Sequence, residues 1–435
     1  MIFLSTNCRK QIAKEGPHMK VIGIIAEYNP FHNGHKYQIE EIKKQTNADY
    51  VIIAMSGNFL QRGVPAMLDK HTRARMALME GADLVLELPT IWSTASAEFF
   101  ANGGVSLLKS TGVVDILCFG AETNKLSVLN FIASYLIDET PEFKEKISNY
   151  QKSGFSYPEA RNQALLESMK QSPFSKKEIE TILSTPNNIL GIEYLKALIN
   201  QKTSISPFLI ERKGNGYHSL SMENGHASAS AIRNYLASSS DEILSEVKKQ
   251  MPSNAYNILS SYIADSNPLL SEDELSSILG YRLLELQTAG FSHFADCNND
   301  LSNRICNALA NYVSLSDFCN QLKTKEITYT RISRCLLHIL LNITQADYDN
   351  YRQNPTPYLR ILGFKKSANS LLTEINNHGT SPLVTKVADA SKILDDYAYS
   401  VFEKDLFATN LYNMIRTSQS GHLYKNDFTK PIEII

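Results

Sequence analysis

The chain has 435 residues, more than one hydrophobic core ordinarily organises, so two domains are expected. At 43% hydrophobic and 20% charged, its composition excludes a long disordered or low-complexity chain. The net charge of −2 argues against a uniformly basic nucleic-acid binder, and no apolar run reaches the roughly 18 residues of a membrane span.

Residues 1–18 precede the first strand-like run and read as an N-terminal extension outside the fold. Val21–Ala26 is a short apolar run, followed by helical spacing from Gly34 to about Thr46 through Ile39 and Ile42. Tyr50–Met55 is a second buried-strand run, 70–80 a helix, Asp83–Leu88 a strand, 94–110 a helix and Asp115–Phe119 a fourth strand. This alternation predicts a parallel sheet with right-handed crossovers. Helices follow at 125–138, 141–152, 157–170 and 188–200; Pro207–Glu211 returns to the sheet, and Ser228–Leu236 opens another helix. From about residue 240 nearly everything reads helical, with breaks at Pro252, Pro268 and Asn354-Pro355-Thr356-Pro357. The expected architecture is a Rossmann-like parallel α/β domain over 19–240, then a mainly helical domain over 241–435.

Six cysteines (Cys8, Cys118, Cys297, Cys306, Cys319, Cys335) lie scattered without a C-x-x-C pair. That pattern argues against a zinc knuckle or a disulfide framework and fits a reducing cytoplasm. No metal-ligand cluster is expected.

The sequence from Gly23 to His35 carries the chemistry. A buried strand ends near Ala26, a Pro-containing loop turns the chain, and a helix begins at about Gly34. His32 and His35 therefore sit at the carboxyl end of a strand and the amino end of a helix, where open α/β sheets bind ligands and unpaired N–H groups favour phosphate. Displacement at an α-phosphate builds negative charge on phosphoryl oxygens, so preorganised donors supply most of the catalysis. Two imidazoles at i and i+3 can both face the phosphates, and Gly34 would let the backbone approach closely. A helix-capping loop that happens to hold two histidines is the bland alternative. Zinc would need a third ligand.

His32-Asn33-Gly34-His35 resembles the H-x-G-H signature of the nucleotidylyltransferase superfamily. A longer set resembles the bacterial tRNA(Met) cytidine acetate ligase family: Glu27 through His35, Ser56-Gly57-Asn58-Phe59 with Gln61-Arg62-Gly63, Gly81 through Pro89, and Phe119-Gly120-Ala121-Glu122. The similarity continues through Pro186–Gly191 and from Arg212 to His218. The resemblance implies a HIGH-type nucleotidylyltransferase fold. It also implies a reaction in which acetate and ATP give acetyl-adenylate and pyrophosphate, and the acetyl group passes to N4 of the wobble cytidine of elongator tRNA(Met). ATP is expected to arrive with Mg²⁺, and no obligate protein partner or membrane is implied. The rival readings are a small-molecule adenylyltransferase and a non-catalytic nucleotide-sensing RNA-binding protein.

By the resemblance, ATP contacts are expected from Ile25, Ala26, Glu27, Tyr28, Asn29, Pro30, Phe31, His32, Asn33, Gly34, His35, Lys36, Tyr37 and Gln38. Gly120, Asn187 or Asn188, and Arg212 should add to them. Gly120 could equally be a plain strand-end glycine, either asparagine an N-cap, and Arg212 a surface ion-pair partner. Ser228-Ala229-Ser230-Ala231-Ile232-Arg233 looks like the second superfamily signature, with Ser230 and Arg233 joining His32 and His35 as catalytic groups. The long loop from Ser56 to Asp69 is a candidate substrate loop, with Arg62 to hold a carboxylate or phosphate. Asp69, Lys70 and Arg73 read as a solvated capping cluster. Between Lys323 and Lys366 the charge is +5, leaving −7 elsewhere. There Arg331, Arg334 and His338 share one helical face, and Arg331, Arg334 and Arg360 are expected to contact tRNA phosphates.

Overall fold

The computed structural model describes residues 19–137, 139–169, 172–212, 227–237 and 241–435, with the side chains of 241–243 left aside. The proposed extension over 1–18, His218 and the boundary expected near residue 240 fall outside the described residues.

Among the described residues, eight strands form one sheet: β1 (Val21–Ala26), β2 (Tyr50–Ser56), β3 (Leu84–Leu88), β4 (Ile116–Ala121), β5 (Ser206–Glu211), β6 (Leu359–Phe364), β7 (Leu383–Val384) and β8 (Glu433–Ile434). Their order is β5-β4-β1-β2-β3-β6-β7, with β8 also paired to β6. The first five are mutually parallel, and β1 lies between β2 and β4 in register Val21↔Tyr50 and Ile22↔Ile116. Strand order thus reverses at β1, which opens a crevice at the carboxyl ends of β1 and β4.

The apolar runs are continuous because helices cover both faces. Val21, Ile52 and Ala54 join one buried cluster, whereas Ile22, Ile24, Val51, Ile53 and Met55 join the other. A side chain at Gly104 would place its Cβ 2.6 Å from Ile25 Cδ1, so glycine there allows the helix Ala97–Ser110 to lie close against β1.

The helical reading beyond residue 240 missed β6, β7 and β8. Strand β6 pairs antiparallel with β3, matching Arg360 to Glu87 and Leu84 to Phe364. The C-terminal segment therefore extends the N-terminal sheet as well as supplying helices. Leu359, Ile361 and Leu362 are buried, as a strand covered on both sides requires.

Candidate active site

His32 is the N-cap of the helix Asn33–Thr46. Its Nδ1 accepts the Gly34 N–H at 3.1 Å, and His35 Nδ1 accepts the His32 N–H at 3.2 Å. The pair forms a capping box in which imidazoles stand where Ser and Glu usually do. Because each Nδ1 accepts, each neutral ring carries its proton on Nε2. The rings stack with centroids 3.7 Å apart, and Tyr28 meets His35 edge-on at 4.7 Å. Burial, then His32 and Arg212, hold the His35 pKa well below the usual imidazole value. His35 is thus neutral at pH 7, a hydrogen-bond donor without a formal charge.

Gly34 has a steric role in this capping box. A Cβ at this position would lie 2.9 Å from His32 Cε1, so the glycine makes room for the stacked ring.

One cleft gathers most of the expected nucleotide residues. Ile25, Ala26, Glu27, Tyr28, Asn29, His32, His35 and Gln38 line it from β1, its loop and the first helix. Gly120, Asn187, Arg212, Ser230 and Arg233 line it from the far side. Gly120 is the last residue but one of β4, and a Cβ there would come 3.3 Å from Arg212 Cγ, so the arginine stem lies across the glycine. The loop Leu60-Gln61-Arg62 closes one edge, fixed by the Gln61 N–H donating to Glu27 Oε1 at 2.9 Å.

The serine-rich turn both caps and contributes to the site. Ser228 Oγ accepts the Ala231 N–H at 3.1 Å, while Arg233 turns inward. Its Nη1 donates to the Asn29 carbonyl at 2.7 Å and its Nη2 to Ser230 Oγ at 3.1 Å. The second signature is thereby joined directly to the loop of the first.

Other expected contacts fall elsewhere. Phe31 is fully buried and packs on Tyr28, and Pro30 is buried outside the cleft lining. Asn33 donates to the Lys249 carbonyl, and Lys36 pairs with the buried Glu80 at 3.0 Å. Tyr37 packs against the buried cluster that includes Ile22 and Ile24. Asn188 is buried and accepts the N–H groups of Glu122 and Thr123 at 2.9 and 3.2 Å, which leaves Asn187 as the cleft asparagine. Phe100, Phe119, Leu190 and Tyr194 also line the cleft. Sequence reasoning missed them because an aromatic or leucine on a buried helix or strand looks like ordinary core.

Lys70 and Arg73 are buried, which corrects the solvated-cluster reading. Asp69 does cap its helix, accepting from His71 and Thr72. Arg73 donates to the carbonyls of Glu27, Ser56, Gly57 and Leu68, tying the ends of β1 and β2 to the loop that runs from Ser56 to Asp69. Lys70 meets Glu87 Oε1 at 2.8 Å and Asp427 Oδ2 at 3.0 Å.

The tRNA surface also needs correction. Arg360 is only 2% exposed, with Glu87 at 3.0 Å and Asp427 at 2.9 Å. A guanidinium sealed between two carboxylates cannot reach an RNA phosphate. Arg334 is buried against Asp296 at 2.8 Å, and His338 lies wholly inside, within reach of the Thr94 and Ala295 carbonyls. The backbone of Arg334 abuts Gly63, and Ser333 Oγ donates to the Gly63 carbonyl at 3.0 Å. The supposed basic face is thus turned onto Asp296, while the neighbouring Ser333 and the Arg334 backbone meet the loop at Gly63. Arg331 alone of the three remains half-exposed.

A parallel sheet reversing at β1, with two imidazoles and an arginine turn around its crevice, defines a nucleotidyl transferase of the HIGH class. The family model described as HIGH Nucleotidyl Transferase matches residues 19–427. A Halothermothrix orenii protein named tRNA(Met) cytidine acetate ligase is 37% identical over 421 residues, covering 95% of this chain and 99% of that one. The crystal structure of Thermotoga maritima TmcAL without ligand superposes with a TM-score of 0.90 at 30% identity, covering 96% of this chain and 100% of that one. A second structure of that protein, bound with alpha-thio ATP, gives 0.87 at the same identity and coverage. The chain belongs to the tRNA(Met) cytidine acetate ligase family.

Proposed function

We propose that this chain uses ATP to activate acetate as acetyl-adenylate and transfers the acetyl group to N4 of the wobble cytidine of elongator tRNA(Met). The observation that carries the reading is the tautomer-fixed His32–His35 pair at the rim of the β1/β4 crevice. Acetate is a poor acyl donor, and the cytosine amine is a weak nucleophile because its lone pair is delocalised into the ring. Attack of the acetate oxygen on the α-phosphorus expels pyrophosphate, whose developing charge is met by Nε2–H donors on the two imidazoles and by Arg233. The amine then attacks the acetyl carbon, and AMP leaves. Seating the mixed anhydride in the cleft limits its hydrolysis.

ATP is the nucleotide of this reading, with Mg²⁺ accompanying its phosphates. No group of three or more His, Cys, Asp or Glu that could hold a metal occurs among the described residues, so no step is assigned to a protein-bound ion. No helix among them is long and apolar enough to cross a membrane, and a cytoplasmic site of action fits the tRNA substrate. Arg331, half-exposed with its Nε donating to the Asp296 carbonyl, is the basic residue proposed to contact tRNA phosphate.

Incubation with ATP, labelled acetate and unmodified elongator tRNA(Met) transcript, followed by nucleoside analysis, tests the reading. Label in N4-acetylcytidine supports it. Absence of both acetyl-adenylate and labelled nucleoside rejects it.

A further inference from the structure

The nucleotide cleft does not end at Arg233. Asn29, Arg62, Val64 and Arg233 line it on one side and a second recess on the other, so the two hollows share a wall. The recess has apolar sides from Pro65, Met67, Leu269 and Leu270 and a polar end from Glu272 and Tyr329. At that end the Tyr329 hydroxyl donates to Glu272 Oε1 at 2.9 Å, and both side chains are half-buried.

From this geometry we infer that the recess receives the acceptor base, with Glu272 binding its exocyclic amine and taking the proton released on acylation. The inference rests on the acetyl-transfer reading above and names the acceptor site within it. Three features support it. Apolar walls suit a heteroaromatic ring withdrawn from its stack. A carboxylate is the side chain that accepts from the N4 amine of cytosine. The shared wall at Arg62 and Arg233 puts the recess beside the position of an acyl-adenylate.

The step balances. The amine nitrogen bonds to the acetyl carbon, the carbon–oxygen bond to AMP breaks with its electron pair leaving on AMP, and one N4 proton passes to the Glu272 carboxylate. Tyr329 fixes the orientation of that carboxylate and is a positioning residue. Burial raises the Glu272 carboxyl above its ordinary value, which makes it a better proton acceptor than an exposed one.

Two partial reactions separate this claim from the functional reading. Acetate-dependent ATP–pyrophosphate exchange needs only the nucleotide cleft, whereas single-turnover transfer to the tRNA(Met) transcript also needs the recess. Glu272→Gln should keep exchange within about twofold, while the transfer rate falls by about 10²-fold or more at little-changed tRNA KM. Glu272→Asp should restore part of that loss, and Tyr329→Phe should lower transfer less than Glu272→Gln does. Wild-type transfer by Glu272→Gln would overturn the inference. So would an equal loss of exchange and transfer, because that marks a general structural defect. A wild-type enzyme that carries out neither reaction would instead remove the functional reading on which the inference stands.

Discussion

The imidazoles of His32 and His35 stack 3.7 Å apart, each Nδ1 engaged by a backbone N–H of the same turn. One arrangement therefore caps the helix and directs two Nε2–H donors. The capping role and the proposed catalytic role coincide in these residues, and each variant needs a stability measurement beside an activity measurement.

His35→Ala should lower acetate-dependent pyrophosphate exchange by about 10²–10³-fold, the cost of one preorganised donor. Thermal unfolding should register only about 1 kcal/mol from the damaged cap. Equal tRNA affinity in filter binding would confirm that the loss is local.

The depressed His35 pKa has a sign that unfolding can read. The unfolded chain binds a proton near the ordinary histidine value of about 6.5, and the folded chain binds it only at lower pH. Stability from this group is complete above about pH 6.5 and declines as pH falls towards the folded value. Against His35→Asn, which cannot titrate there, the wild-type Tm should lose ground below about pH 6.5. A constant difference in Tm between pH 8 and pH 5 would show that His35 is not held neutral.

Gly34→Ala should abolish most exchange while barely changing Tm. The added Cβ displaces the His32 ring, and a gain in helix propensity of about 1 kcal/mol offsets the disturbed cap. Wild-type exchange in this variant would mean that the stacked ring geometry is dispensable.

Much of this site was legible because its signals were local. The apolar run at Val21–Ala26, the Pro30 turn and the H-x-x-H spacing lie within a few residues, and strand-to-helix context fixed their placement. Arg360 was not legible. Its carboxylate partners come from β3, far upstream, and from Asp427 near the C-terminus, so its charge looked like surface charge. The six residues of β6 likewise followed a proline-rich turn with no local cue that they would join the N-terminal sheet antiparallel. Helical periodicity grouped Arg331, Arg334 and His338 on one face, but could not reveal that Asp296 meets all three there.

Arg360→Met removes one member of a buried ion cluster and leaves Glu87 and Asp427 without it. Unfolding in urea should show a loss of about 3–5 kcal/mol. The protein that remains folded should bind tRNA with an unchanged salt slope. Arg331→Ala should instead leave stability nearly intact and reduce that slope by about one unit.

The central claim concerns where the triphosphate lies, and a crystal structure with a non-hydrolysable ATP analogue tests it most directly. The account predicts phosphate oxygens about 2.7–3.2 Å from Nε2 of both His32 and His35, with the Arg233 guanidinium beside the same chain of phosphates. A nucleotide seated with its phosphates elsewhere, both rings turned away from it, would contradict the account.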